Sequence, residues 1–321
     1  MMKVFQHADY QFIPRRKTAY VVSAVLSAVA VGAMLFNVAT IGSWMNYGVD
    51  FTGGSLIQVR FTEPVDAGEL RQALGGADAP PITRFGEAEL NEFVIRAPLD
   101  EGASITAVAD QIEAQIASGL PGRQFDVVRT ELVGAKVGSE LQGRAAMAIL
   151  ISFVLTLVYL AVRFEFRFGL AAVIATAHDI MLTLGVLALF RMEISLSTVA
   201  ALLTILGYSL NDTIVVFDRI RENMHQKGAR KRDPLELVNR SVNETLPRTV
   251  LTGGATLAVL LALTILGGPV IRDFSAVMIF GIIIGTYSSI FIGSAALIEI
   301  QKRWGLGNIK EKPTRPEPAT V

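Results

Sequence analysis

Ile194-Ser195-Leu196-Ser197-Thr198-Val199-Ala200-Ala201-Leu202-Leu203-Thr204-Ile205-Leu206-Gly207-Tyr208-Ser209-Leu210-Asn211-Asp212-Thr213-Ile214-Val215-Val216-Phe217 is the stretch on which the fold turns. It is long enough to cross a bilayer, which takes about 20 apolar residues. It also carries a carboxylate. Placing Asp212 in hydrocarbon costs roughly 2.5–3.5 kcal/mol even on a lenient insertion scale. A chain keeps such a residue when it faces a polar interior, and the usual reasons are proton relay, ion passage or a buried pair. The run therefore predicts a helix inside a membrane bundle, with a polar cluster at its centre.

The rest of the chain agrees. Of 321 residues, 51% are hydrophobic and 18% charged, and the mean hydropathy is +0.47, values of a membrane protein. The formal net charge is zero, so bulk charge does not point to nucleic acid. There are no cysteines, which excludes disulfides, thiolate metal sites and cysteine nucleophiles. Six apolar runs predict spans over 18–41, 143–162, 168–190, 194–217, 247–267 and 274–298. The first exceeds a signal-peptide core and reads as a retained span. Gly281 and Gly285, four apart in the last, suit close helix packing. Lys and Arg concentrate at the N-terminus (1–17), after span two (Arg163, Arg167), after span four (Arg219 to Arg240) and in the tail (304–321), while the alternate connections carry only Arg191 and Arg272. This alternation predicts that both termini are cytoplasmic.

Between spans one and two, residues 42–141 form a soluble stretch on the opposite side. The pattern predicts strand 55–61, helix 66–74, strands 82–85 and 92–97, helix 104–117 and strand 124–131. Ile105, Val108, Ala109, Ile112 and Ile116 give the second helix its apolar stripe. The order β-α-β-β-α-β is that of a ferredoxin-like α+β domain. The expected class is a polytopic α-helical membrane protein with six transmembrane helices and this one domain. Residues 142–303 make a five-helix bundle with a cytoplasmic loop at 218–246. In that loop Asp233-Pro234-Leu235-Glu236 reads as a helix start. Leu235, Val238, Val242 and Leu246 share a face, which suggests an amphipathic helix on the membrane surface, with Pro247 bending the chain into span five. The tail from Lys310 reads as disordered.

Arg248 enters from the cytoplasmic side, at a depth where it can meet Asp212 on the adjacent helix. Two readings stand: a static ion pair, or a switch in which movement of the guanidinium changes protonation of the carboxylate. Arg248 could alternatively snorkel to the interface. His178-Asp179, near the middle of span three, is a proton site or an interhelical hydrogen-bonding group. Thr204, Tyr208 and Asp212 share a face, as a hydrated seam or as helix-to-helix contacts. His7 and His225 lie outside the spans. No metal-ligand spacing, phosphate-cradling loop or nucleophile–base arrangement is visible, so the chain does not read as an enzyme.

Gly207-Tyr208-Ser209-Leu210-Asn211-Asp212-Thr213-Ile214-Val215-Val216-Phe217-Asp218-Arg219-Ile220-Arg221-Glu222-Asn223 closely resembles the signature of the SecF branch of the SecD/SecF family, membrane subunits of the bacterial Sec protein translocase. Gly48-Val49-Asp50-Phe51-Thr52-Gly53-Gly54 resembles the family's motif at the entrance to its first periplasmic domain, and Ala177-His178-Asp179-Ile180 and Pro247-Arg248-Thr249-Val250 match in place. The resemblance runs from about 15 to 303. It implies an inner-membrane subunit, with 42–141 periplasmic, that pairs with SecD in a bundle related to the resistance-nodulation-division transporters. It further implies SecYEG, YajC and translocating preproteins as partners, and protons as coupling ion with no other cofactor. Asp212 and Arg248 match the family's proton pathway, with Asp179, His178, Asn211 and Tyr208 beside them; the partner subunit supplies another carboxylate. The rival readings are a proton-driven small-molecule exporter of the same superfamily and a passive assembly subunit. Hinges for the soluble domain are expected at Gly48, Gly53 and Gly54 and, on the return, at Gly134 and on to Gly143.

Overall fold

The computed structural model describes residues 9–85, 90–98, 105–226 and 233–304. The expected tail, the basic residues Lys3, Lys227, Arg230, Lys231 and Arg232, and His7 lie outside them. So does the side chain of Ile105. The elements run α1 (Arg16–Ile41), β1 (Asn46–Tyr47), α2 (Val49–Thr52), β2 (Gly54–Phe61), α3 (Ala67–Ala73), β3 (Ile82–Phe85), β4 (Glu92–Pro98), α4 (Ile105–Gly119), β5 (Phe125–Val133), α5 (Ala135–Arg163), α6 (Phe166–Leu189), β6 (Glu193–Ile194), α7 (Leu196–Met224), α8 (Pro234–Leu266), α9 (Pro269–Ser288), a π-helical turn at Ser289–Gly293, and α10 (Ser294–Trp304). Six helical segments are long and apolar enough to cross a membrane, the last spanning α9 to α10.

The soluble domain has sheet order β3-β4-β2-β5, all pairs antiparallel. That is the split βαβ arrangement of a ferredoxin-like fold. Its core gathers Ile57, Val59, Phe61, Leu70, Phe93, Ile95, Ile112 and Ile116. Asp66 caps α3 by accepting from the Gly68 N–H at 2.8 Å. Buried Glu92 is satisfied by Gln58 Nε2 and Arg60 Nε, each at 2.6 Å. The domain is narrower than the expected 42–141. Residues 46–52 pack with the bundle, where Phe51 joins Leu187, Ile194 and Ile205 in one core, and the chain is already in α5 from Ala135.

The expected loop at 218–246 is a second correction. α7 continues to Met224 and α8 begins at Pro234, capped by Asp233 through the Leu235 N–H at 3.1 Å. The segment expected as a separate surface helix is the first part of α8, which runs through Pro247. Its apolar face does exist, but Val238, Val242 and Leu246 bury it against Phe164, Phe168, Phe217, Ile220 and Leu297 rather than in lipid headgroups. The basic side chains on the other faces pair instead of looping out. Arg219 contacts Glu244 and Glu222 at 2.6 Å, and Arg240 contacts Glu244 at 2.8 Å.

An N-terminal strap crosses this end. Asn243 Oδ1 accepts from the Tyr10 N–H at 2.8 Å, Asn239 Oδ1 from the Ile13 N–H at 3.1 Å, and both Asn amides donate to the Tyr10 carbonyl. Helices α7 and α9 meet closely at small residues. A Cβ added to Gly281 would overlap the Ile205 side chain, and one at Gly285 would stand 2.9 Å from Ser209 Cβ.

Candidate functional site: a polar layer in the bundle

Two apolar cores fill the bundle. One lies toward the soluble domain, around Leu187, Val199, Ile205 and Ile282. The other lies toward the opposite, basic end, around Phe168, Val216, Leu246 and Leu297. Between them every inner helix turns polar over about one or two turns: Thr176, Asp179 and Thr183 on α6, Ser209, Asp212 and Thr213 on α7, Thr249 on α8, and Ser288 and Ser289 at the π-helical turn, all buried. The π turn falls in this layer, with the Ser294 hydroxyl donating to the Ser289 carbonyl at 2.9 Å. Such turns often mark functional positions.

Asp212 and Arg248 sit on adjacent helices. Each lies on the order of 20 Å from the basic end of its helix, counting about 1.5 Å per residue. Asp212 is buried, and its Oδ2 has no hydrogen-bond partner. Arg248 lies close enough to act on that carboxylate through space, yet no ion pair joins the two side chains. Two further buried hydroxyls, Thr213 Oγ1 and Thr249 Oγ1, are also without partners. Unpaired polar atoms in a buried site are costly, at roughly 1–3 kcal/mol each, so this part of the layer is held in an unsatisfied state. Arg248 is therefore not at the start of its helix. It lies in the middle of α8, because that helix starts earlier than hydropathy suggests.

Asp179 is differently placed. Its Oδ2 accepts from the Ser209 hydroxyl in a very short contact, and its Oδ1 lies 3.1 Å from His178 Nδ1. His178 Nε2 is buried without a partner. The His178 ring stands 6.4 Å from that of Tyr287, whose hydroxyl contacts Ser23 Oγ at 3.1 Å and donates to the Ala19 carbonyl at 3.0 Å. Ser209, one turn before Asp212 on α7, thus ties the Asp179 group to the helix that carries Asp212. No sequence pattern singles out Ser209, because its partner depends on how two helices are rotated.

Asn211 is exposed, and so are Thr204, Arg248 and Thr252, while the half-buried Tyr208 donates from its hydroxyl to Thr256 Oγ1 at 3.3 Å. A polar strip on the outside of a membrane bundle is costly against lipid. This face of α7 and α8 is open. On the domain side, the Asp50 carboxylate accepts from the Leu196 N–H at 2.9 Å, at the start of α7. Of the expected hinge glycines, Gly48 and Gly134 adopt ordinary backbone with φ −77° and −67°, whereas Gly53 and Gly54 take φ +78° and +145°. Gly138 and Gly143 are inside α5.

Six spanning helices, a ferredoxin-like domain between the first two and a buried charged layer define a polytopic transport-type membrane protein. Residues 114–303 match the family described as "Protein export membrane protein SecD/SecF, C-terminal", and 38–65 match the SecD/SecF GG motif. A protein translocase subunit SecF from Gemmatimonas aurantiaca is 42% identical over 95% of this chain and 91% of its own length. One from Vibrio alginolyticus is 42% identical over 87% of each. The crystal structure of SecDF, a translocon-associated membrane protein from Thermus thermophilus, superposes with a TM-score of 0.76 at 38% identity, covering 94% of this chain. The chain spans 40% of that longer one. The chain belongs to the SecD/SecF family of protein translocase subunits.

Proposed function

We propose that the chain is the SecF-type half of a SecD–SecF complex in the bacterial inner membrane, which uses the proton-motive force to help preproteins across through SecYEG. Both termini face the cytoplasm and the ferredoxin-like domain faces the periplasm, in keeping with the basic residues at the end opposite the domain. The observation that carries the reading is Asp212: a buried carboxylate with an oxygen free of partners, near Arg248 but not paired with it. A static pin between helices would be expected to make the contact. A proton-accepting group poised against a movable guanidinium would not. The open polar strip of Asn211, Arg248 and Thr252 suits cover by the partner subunit, with its carboxylate completing the site and YajC and SecYEG lying further out. One charge moved across 100 mV is worth about 2.3 kcal/mol, enough to shift a domain between states a few kcal/mol apart.

Asp212→Asn in the reconstituted complex is the test. Asn is nearly isosteric and keeps hydrogen-bonding capacity, but it cannot cycle a proton. Assembly with SecD is expected to persist while proton-dependent export in proteoliposomes is lost. Normal export by the assembled variant would return the chain to the passive-subunit reading.

A further inference from the structure

The ferredoxin-like domain is joined to the bundle by more than its two chain connections. From Asn46 to Thr52 the chain is fixed to the membrane part. Asn46 and Tyr47 pair in parallel with Glu193 and Ile194, and the Gly48 N–H donates to the Ile194 carbonyl at 2.9 Å. Asp50 caps α7. A Cβ on Gly138 of α5 would stand only 2.8 Å from the Phe51 carbonyl oxygen. From Gly54 the chain is fixed to the sheet, with a partner strand on each side. Gly53 lies between the two attachments, and it and Gly54, which opens β2, are both at positive φ. Across this glycine junction one ion pair among the described residues reaches from domain to bundle: Arg96 Nη1 of β4 lies 3.5 Å from Glu193 Oε2, and both side chains are largely buried. Arg96 is aimed by its own strand, where Nη1 also donates to Thr83 Oγ1 at 3.2 Å.

We propose that Arg96–Glu193 is a releasable clasp, holding the domain against the residues that start α7 and opening when the domain swings about Gly53–Gly54. It deepens the proposed function, because α7 carries Asp212: the same short segment that the clasp grips is the outer root of the helix bearing the candidate proton site. Four charged groups meet here. Glu193 faces Arg96, Asp50 and Asp273, and Asp273 also faces Arg96. Burial pushes the Glu193 carboxyl above the usual carboxylate range; Arg96 works against this, and Asp273 and Asp50 add to it. The pair is therefore charged above that raised value and loses its attraction as pH falls through it. A cavity of about 160 Å³ lined by Asn46, Gly48, Pro81, Arg96 and Glu193 borders the pair, a polar space with room for water beside the carboxylate.

The test uses the full chain with its partner subunit in proteoliposomes. The absence of native cysteine lets spin labels be placed on one new cysteine in β3 of the domain and one at the domain-side end of α9, which touch one another when the clasp is closed. Their distance distribution is then read at neutral and mildly acidic external pH. The native clasp should give a short distance at neutral pH and a longer one on acidification. E193Q should show the longer distance already at neutral pH, with the open-to-closed ratio raised roughly fivefold, the upper reach of one partly buried ion pair. R96Q, altered from the domain side, should do the same, and the charge swap R96E/E193R should restore the short distance. Distributions of E193Q and R96Q that match the native one at both pH values overturn the clasp. So does a native domain with one fixed distance, an outcome that leaves the Asp212→Asn export result unaffected.

Discussion

Two carboxylates in one layer have opposite surroundings, and they should respond differently to substitution. Asp179 is satisfied by Ser209 and His178, so its neighbours are organised to hold it. Ser209→Ala leaves that oxygen short of a donor, and the cost should be about 1–3 kcal/mol, seen as a lower unfolding temperature of the detergent-solubilised protein. An unchanged transition would mean that Ser209 does not support Asp179. Asp212, by contrast, is already unsatisfied, so Asp212→Asn should cost little stability while removing export. For Arg248 the order Lys above Met is expected in export assays. Lys keeps the charge but loses the planar fork and sheds its proton more readily when buried. Normal export by Arg248→Met would remove the arginine from the mechanism. Asp212 and Arg248 stood out in the sequence because charge in an apolar run is conspicuous. Ser209 did not, since hydroxyls are unremarkable in membrane helices.

At the scale of elements, strands were easier to delimit than helices. Alternation in Leu56-Ile57-Gln58-Val59-Arg60-Phe61 and the turn residues around it set β2 to within a residue of its observed span. Helix ends were misjudged wherever a span runs on past the hydrocarbon. α7 and α8 continue through Arg219, Arg221, Arg240 and Glu244 as charged, paired helix, and hydropathy cannot tell such a helix from a loop. Gly281 and Gly285 were legible as small residues but not as to partner. Because Ile205 occupies the space a side chain at 281 would need, Gly281→Leu should separate α7 from α9. Overpacking of this kind costs about 1–3 kcal/mol. It should reduce the folded yield after membrane insertion, and a variant with native yield and melting temperature would show that the helices can shift to admit it.

For the molecule as a whole, the fold class and the position of the soluble domain were readable from six spans and one long connection. The attachment of that domain was not, because it depends on residues 46–52 belonging to the bundle and on Arg96 reaching Glu193. If the domain works by moving, two cysteines placed in β3 and at the domain-side end of α9, which touch one another, should stop export when oxidised and restore it when reduced, with insertion unchanged. Export at the normal rate by the fully cross-linked protein would make the domain a rigid scaffold.

The strap at Tyr10–Ile13 bears on how the protein is made. Its backbone groups are satisfied by Asn243 and Asn239, 233 and 226 residues further along the chain. At about 5–20 residues per second, the ribosome needs roughly ten seconds or more after α1 emerges before these asparagines exist. Throughout that interval the first span waits in the membrane with its leading segment undocked. Closure of the strap is thus a late event in biogenesis, a signal that α8 has been delivered, and until then the N-terminal segment lacks the partners that cover its backbone.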